Sequence, residues 1–112
     1  MTQLAYTAKA LELQARFDTS ALAAAELQVI VHDALSANDR AFVGQAEMFW
    51  LASVDDKGSP TVSFNGGAKG FVHMPDDKTL LFPCFDGNGT YSSMGNIATT
   101  SHIGMLFTPT HA

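Results

Sequence analysis

The stretch Thr79 to Phe107, TLLFPCFDGNGTYSSMGNIATTSHIGMLF, decides how the chain is read. Two apolar runs enclose a polar, glycine-rich segment, so the pattern is strand, loop, short helix, strand. The loop brings Asp86, Gly87, Asn88, Gly89, Thr90, Ser92, Ser93 and Asn96 into close succession. Small donors beside a helix start are what a phosphate group requires. The same residue types also build ordinary turns. Composition leaves both readings open.

Upstream of this stretch the chain alternates strands and turns. MFWLASV at 48–54 is aromatic and β-branched and reads as a buried strand. Asp55, Asp56, Lys57 and Gly58 form a turn, and a second strand runs over about Thr61 to Phe64, so the two make a β-hairpin. Asn65, Gly66, Gly67, Ala68, Lys69 and Gly70 follow, and three glycines allow a sharp bend or a close approach to a ligand. Phe71 to Met74 is a third strand, Pro75 to Lys78 a turn, and Thr79 to Phe85 a fourth strand. Tyr91 to Thr100 reads as helix and Ile103 to Phe107 as a fifth strand whose outer edge has nothing after it to pair with.

The first third is helical. Ala8 to Phe17 contains good helix formers, and Asp18 to Ser20 can cap the next helix. ALAAAELQVIVHDAL at 21–35 places Ala23, Leu27, Ile30, Val31 and Ala34 on one face. Ser36 to Asp39 then caps a short third helix over Arg40 to Ala46. Helices first and antiparallel hairpins afterwards define an α+β chain, with residues 1–46 as a helical lead-in and 47–112 as the sheet domain, expected to form one structural unit.

Composition narrows the functional classes. The chain has 112 residues, 46% hydrophobic and 15% charged, with a net charge of −5. Six Lys and Arg are scattered singly, and none follows Lys78, so no basic face for nucleic acid is present. No apolar run approaches the ~18 residues of a membrane span. The start, MTQLAYTAKALELQ, lacks the layout of a signal peptide, and the lone Cys84 fits a reducing compartment, so the expected location is cytoplasmic. His32, His73, His102 and His111 lack metal-ligand spacing, and no metal site is expected. Asp55/Asp56 and Asp76/Asp77 are carboxylate pairs in turns beside lysines, read as solvated rather than as acid and base. Trp50, Phe49, Phe64, Phe71, Phe82, Phe85 and Phe107 are assigned to the core.

The order MFWLASVDDKGSPTVS, NGGAKGFVHMPDDKTLLFP, FDGNGTYSSMGN and HIGMLF resembles the flavin-binding split-barrel proteins of the pyridoxamine 5′-phosphate oxidase family. The resemblance covers about Ala41 to Phe107. It implies an antiparallel split β-barrel, a homodimer, and FMN bound at the subunit interface. The residues it assigns to the cofactor phosphate are Ser63, Asn65, Gly66 and Gly67, then Asn88, Tyr91, Ser93 and Asn96.

Three departures from the family pattern qualify what is implied. Asn65 stands where related sequences place a lysine, and an amide contributes no charge to a phosphate; Lys69 is the nearby substitute. Thr100-Ser101 replaces an Asn-Pro after the short helix, which leaves the helix stop softer. The sequence ends at Ala112, before the strands that close such barrels, so the expected barrel is incomplete, with about five strands. The reading is therefore an FMN-binding redox protein of unknown substrate, without an assigned catalytic residue. The alternative is a truncated, cofactor-free remnant with an oligomeric or structural role.

Overall fold

The computed structural model describes residues 6–83 and 92–109. By its contacts the chain divides into two units, Met1–Leu35 and Ser36–Ala112.

In the first unit, α1 (Ala8–Arg16) and α2 (Ser20–Val29) form a helical hairpin. The Thr7 hydroxyl caps α1 by accepting from the Ala10 amide at 3.2 Å. Asp18 takes the left-handed conformation (φ 58°) and the Thr19 amide reaches back to the Gln14 carbonyl at 2.9 Å. This is a Schellman-type stop made without glycine. The Tyr6 hydroxyl donates to the Ala23 carbonyl at 2.9 Å, and Ala23 is buried.

The expected long second helix is shorter than its apolar pattern suggests. It ends at Val29, and Ile30 is 64% exposed instead of lying on a buried face. Val29, Ile30 and Val31 are consecutive β-branched residues, which lose side-chain freedom against the preceding helical turn.

The second unit begins with α3 (Ala37–Gly44), closed by a full capping box. Ser36 Oγ accepts from the Asp39 amide (3.1 Å), and Asp39 Oδ2 accepts from the Ser36 amide (2.9 Å). Arg40 Nη2 donates to the Met74 carbonyl at 2.9 Å, tying α3 to the strand that carries it.

Five antiparallel strands follow, in two sheets and without a closed barrel among the described residues. β1 (Met48–Val54) is the centre of a three-stranded sheet, with β2 (Pro60–Gly66) on one side and β5 (Ile103–Leu106) on the other. β3 (His73–Asp76) and β4 (Thr79–Leu81) form a separate hairpin. α4 (Ser92–Thr100) packs on β1. The chain is thus α+β, with the arrangement of an incomplete split barrel.

The turns follow from their residues. Asp55 Oδ1 accepts from the Lys57 and Ser59 amides (2.9 and 2.8 Å), and Gly58 supplies φ 84°. In the β3–β4 turn Asp76 accepts from the Lys78 amide at 2.8 Å, and this bond, with a second from the Thr79 side chain, holds its carboxyl below the usual carboxylate range. α4 stops at Thr100, where Ser101 adopts φ 61° and donates its amide to the Ile97 carbonyl (3.0 Å). The helix stop expected to be soft is made by a left-handed serine.

Along β1 the inward residues are Phe49, Leu51 and Ser53, each 1% exposed or less. Phe49 meets three rings: Phe71 stacked at 5.8 Å, Phe82 edge-on at 4.9 Å and Phe107 tilted at 5.2 Å. Val43, Leu51 and Val72 complete the buried core. Phe71 and Val72 belong to that core but precede β3, which starts at His73 rather than at Phe71. Two of the aromatics assigned to the core lie outside it. Trp50 and Phe64 pair across β1 and β2 on the opposite face of the sheet, 40% and 58% exposed, because the period of two that buries Phe49 and Leu51 turns their neighbours outward. Phe85 falls outside the described residues.

Gly67 shows how tightly the loop after β2 is packed. A Cβ there would sit 2.7 Å from Phe71 Cγ and 2.9 Å from Phe71 Cβ. We expect Gly67→Ala to destabilise the domain by ~1–3 kcal/mol through overpacking. A lowered urea midpoint with an unchanged slope is the outcome that checks it.

Candidate functional site

β2 has an unusual polarity. The register pairs Phe49 with Asn65, Leu51 with Ser63 and Ser53 with Thr61, so Thr61, Ser63 and Asn65 share the inner face with the core residues of β1. Val62 and Phe64 point the other way and are 67% and 58% exposed. On α4, Ser93, Asn96 and Thr100 fall three and four residues apart, which places them on one helical face. That polar face meets the polar side of the sheet.

The contacts form a seam of three rungs. Ser63 Oγ and Ser93 Oγ are 3.1 Å apart. Asn96 Nδ2 donates to Ser53 Oγ (3.1 Å) and Thr61 Oγ1 (3.3 Å), while those two hydroxyls bond each other at 2.8 Å. Thr100 Oγ1 sits 3.0 Å from the Val54 carbonyl on β1 and 3.0 Å from the Asn96 carbonyl in its own helix. Asn65 Nδ2 reaches Ser63 Oγ at 3.4 Å. Ser53 is the one buried polar residue of the described chain, and no buried side-chain polar atom there lacks a partner.

The residues expected to hold a phosphate are therefore distributed unevenly. Ser63, Asn65 and Ser93 come together where β2 meets the first turn of α4. Helix starts leave amide donors without intrahelical acceptors and favour anions. Asn96 lies one turn further along, with its amide nitrogen engaged by Ser53 and Thr61. Gly66 is the last residue of β2, opposite Met48. Gly67 gives its amide to the Glu47 carbonyl at 3.0 Å, and its lack of a side chain accommodates Phe71. Lys69 is exposed in the following turn, and no hydrogen bond or ion pair joins it to the Ser63 cluster among the described residues. Asn88 and Tyr91 lie outside the described residues.

Ser53 and Thr61 were missed by sequence reasoning. The signal was present as polar residues at period two, Thr61, Ser63 and Asn65, and at helical period, Ser93, Asn96 and Thr100. Neither pattern reveals alone that the two faces meet. Among the described residues no group of three His, Cys, Asp or Glu side chains converges.

Helices leading into antiparallel strands, with a polar strand–helix seam at one side of the sheet, define a small α+β domain with a split-barrel arrangement. The model of the family described as Pyridoxamine 5′-phosphate oxidase matches residues 35–109, which is 75 of the 112 residues. The chain belongs to that family. No curated protein and no solved structure matched it.

The seam predicts a graded response to truncation. Asn96→Ala removes the donor that the buried Ser53 hydroxyl faces and is expected to cost ~1–3 kcal/mol, whereas Ser93→Ala should cost less than ~1 kcal/mol. Urea denaturation of the two variants side by side checks the order.

Proposed function

We propose that this chain is an FMN-binding redox protein in which Ser63, Asn65 and Ser93, with the first turn of α4, hold the cofactor phosphate. The observation that carries the proposal is the 3.1 Å approach of Ser63 and Ser93, which sets two hydroxyls from distant parts of the sequence beside a helix start. Membership of the pyridoxamine 5′-phosphate oxidase family supports the same reading. The donor set fits a phosphate in kind, because two hydroxyls and a carboxamide can all donate. It differs from a lysine-based site in charge. Asn65 donates without adding a positive charge, and Lys69 is the nearest cation in sequence. Asn88 and Tyr91 belong to the same proposed set, and Gly66 and Gly67 shape the turn beside it. Asn96 holds the helix that presents Ser93.

When bound, FMN supplies the electron chemistry, and the protein supplies binding, orientation and electrostatics. Ser63 and Ser93 orient the phosphate. No side chain of the described residues is assigned to proton transfer, and the substrate is left open. No described helix is long and apolar enough to cross a membrane. A cytoplasmic location remains part of the proposal.

FMN should quench saturably on titration, and riboflavin, which lacks the phosphate, should bind at least ~10-fold more weakly. The paired substitution Ser63→Ala/Ser93→Ala should weaken FMN about tenfold and leave riboflavin unchanged. Equal affinity for FMN and riboflavin, or no FMN binding, would sink the proposal.

The proposal includes a homodimer. The outer face of the three-stranded sheet carries Trp50, Val62, Phe64 and Leu106, each between 40% and 67% exposed and brought side by side by the strand register. A contiguous apolar patch on a sheet is suited to a second copy. Phe64→Lys is expected to shift sedimentation from dimer to monomer. Trp50 is the only tryptophan, so its emission should move to longer wavelength in the same variant.

A further inference from the structure

We infer that Ser53, Thr61 and Asn96 form a positioning device that fixes the register of α4 on the sheet and so brings Ser93 to Ser63. The consequence for a phosphate rests on the function proposed above. The register itself does not.

The inner face of β1 is apolar at Phe49 and Leu51 and then polar at Ser53, which is only 1% exposed. A buried hydroxyl is costly unless it is bonded, and this one has two side-chain partners, Thr61 at 2.8 Å and Asn96 at 3.1 Å. Thr61 comes from β2 and Asn96 from α4, so the cluster joins three elements. Apolar contacts between a helix and a sheet are nondirectional and tolerate small slides. Hydrogen bonds to a buried hydroxyl do not. Moving α4 by one residue would translate its side chains by ~1.5 Å and turn them by about 100°. That single slip would break the Ser93–Ser63, Asn96–Ser53 and Thr100–Val54 contacts together.

The position of the cluster matters. Asn96 lies three residues after Ser93, one turn along the same face. Thr61 lies two residues before Ser63 on the same face of β2. The cluster is therefore the rung next to the Ser63–Ser93 rung, and it is the more buried of the two. α4 has no buried apolar residue of its own, although Ile97 packs against the core, so polar contacts carry much of its placement. Asn96 acts on the candidate site through Ser93 rather than by touching a ligand.

The test reads the register without a cofactor. In a Cys84→Ser background, Ser63→Cys and Ser93→Cys place two thiols where hydroxyls now lie 3.1 Å apart. Oxidised glutathione should join them readily, since disulfides form only within narrow Cβ separations. The cluster is then replaced as a whole by Ser53→Ala, Thr61→Val and Asn96→Leu. Exchanging all bonded partners for apolar groups of similar shape is close to neutral for stability, so the urea midpoint should hold. The crosslinking rate should fall about tenfold, because misplacement by an ångström has effects of at least that size. An unchanged rate in the folded triple variant would overturn the inference. If the triple variant does not fold, Thr61→Val alone removes one of the two acceptors of Asn96 and should slow crosslinking about threefold. An unchanged rate there overturns it equally. FMN titration of the parent chain separates the two ideas: absence of binding removes the flavin reading, while the crosslinking rate still decides the register.

Discussion

The complete burial of Phe49 is the constraint on which the second unit depends. Its side chain has no exposed surface, and rings arrive from three directions: Phe71 from the loop before β3, Phe82 from beyond β4, and Phe107 from beyond β5. Each of these segments would otherwise be a strand end with little to hold it. Aromatic side chains bury large areas, and tilted or edge-on pairs add to that burial. β1 can serve as this centre because it pairs on both edges, with β2 and β5, and has no edge of its own. The β3–β4 hairpin, short and irregular in register, packs on the core through its own Met74 and Leu80 and through the flanking Phe71, Val72 and Phe82. Gly67 lacks a side chain because Phe71 takes that space on its way to Phe49.

Beside this apolar centre lies a polar seam, and the two have different jobs. The apolar contacts supply burial. The seam supplies direction, because each of its bonds demands one partner at one distance. Thr61, Ser63 and Asn65 face inward, where a strand ordinarily presents apolar residues, and Val62 and Phe64 face outward. Turned about, the same strand would bury more apolar surface and leave α4 without partners. β2 is thus locally suboptimal for burial in a way that serves the strand–helix junction. Departures of this kind are expected where a fold carries a site.

The electrostatics of that junction are mild. The chain carries a net charge of −5, and no Lys or Arg follows Lys78. The hydroxyls and the carboxamide at the β2–α4 junction are neutral, so any anion held there would rely on directed hydrogen bonds and on the amide dipoles of the helix start. Such a junction differs from a cationic site in offering direction without charge.

Much of the fold was legible in the sequence because local chemistry dictated it. The β1 run at 48–54 and the Asp55–Gly58 turn stand as read, and the cap expected within Ser36 to Asp39 falls on Ser36, so that α3 begins at Ala37 rather than Arg40 and ends at Gly44 rather than Ala46. The split-barrel class and the family were likewise readable from the order of motifs. Local pattern misled where long-range packing competed with it. Apolar spacing extended α2 through Leu35, but three β-branched residues end it at Val29. Trp50 and Phe64 looked like core residues by type, yet the inward phase of β1, set by the rings around Phe49, turns them outward. Asn96 was legible as a polar residue of the short helix; that its amide is drawn to Ser53 and Thr61 was not. The sequence by itself determined the elements, their order and the small donors available. Only the tertiary structure decided which face of β2 looks inward and which donors meet across it, because those contacts join residues 30 to 43 positions apart and depend on how strand and helix are phased by the core between them.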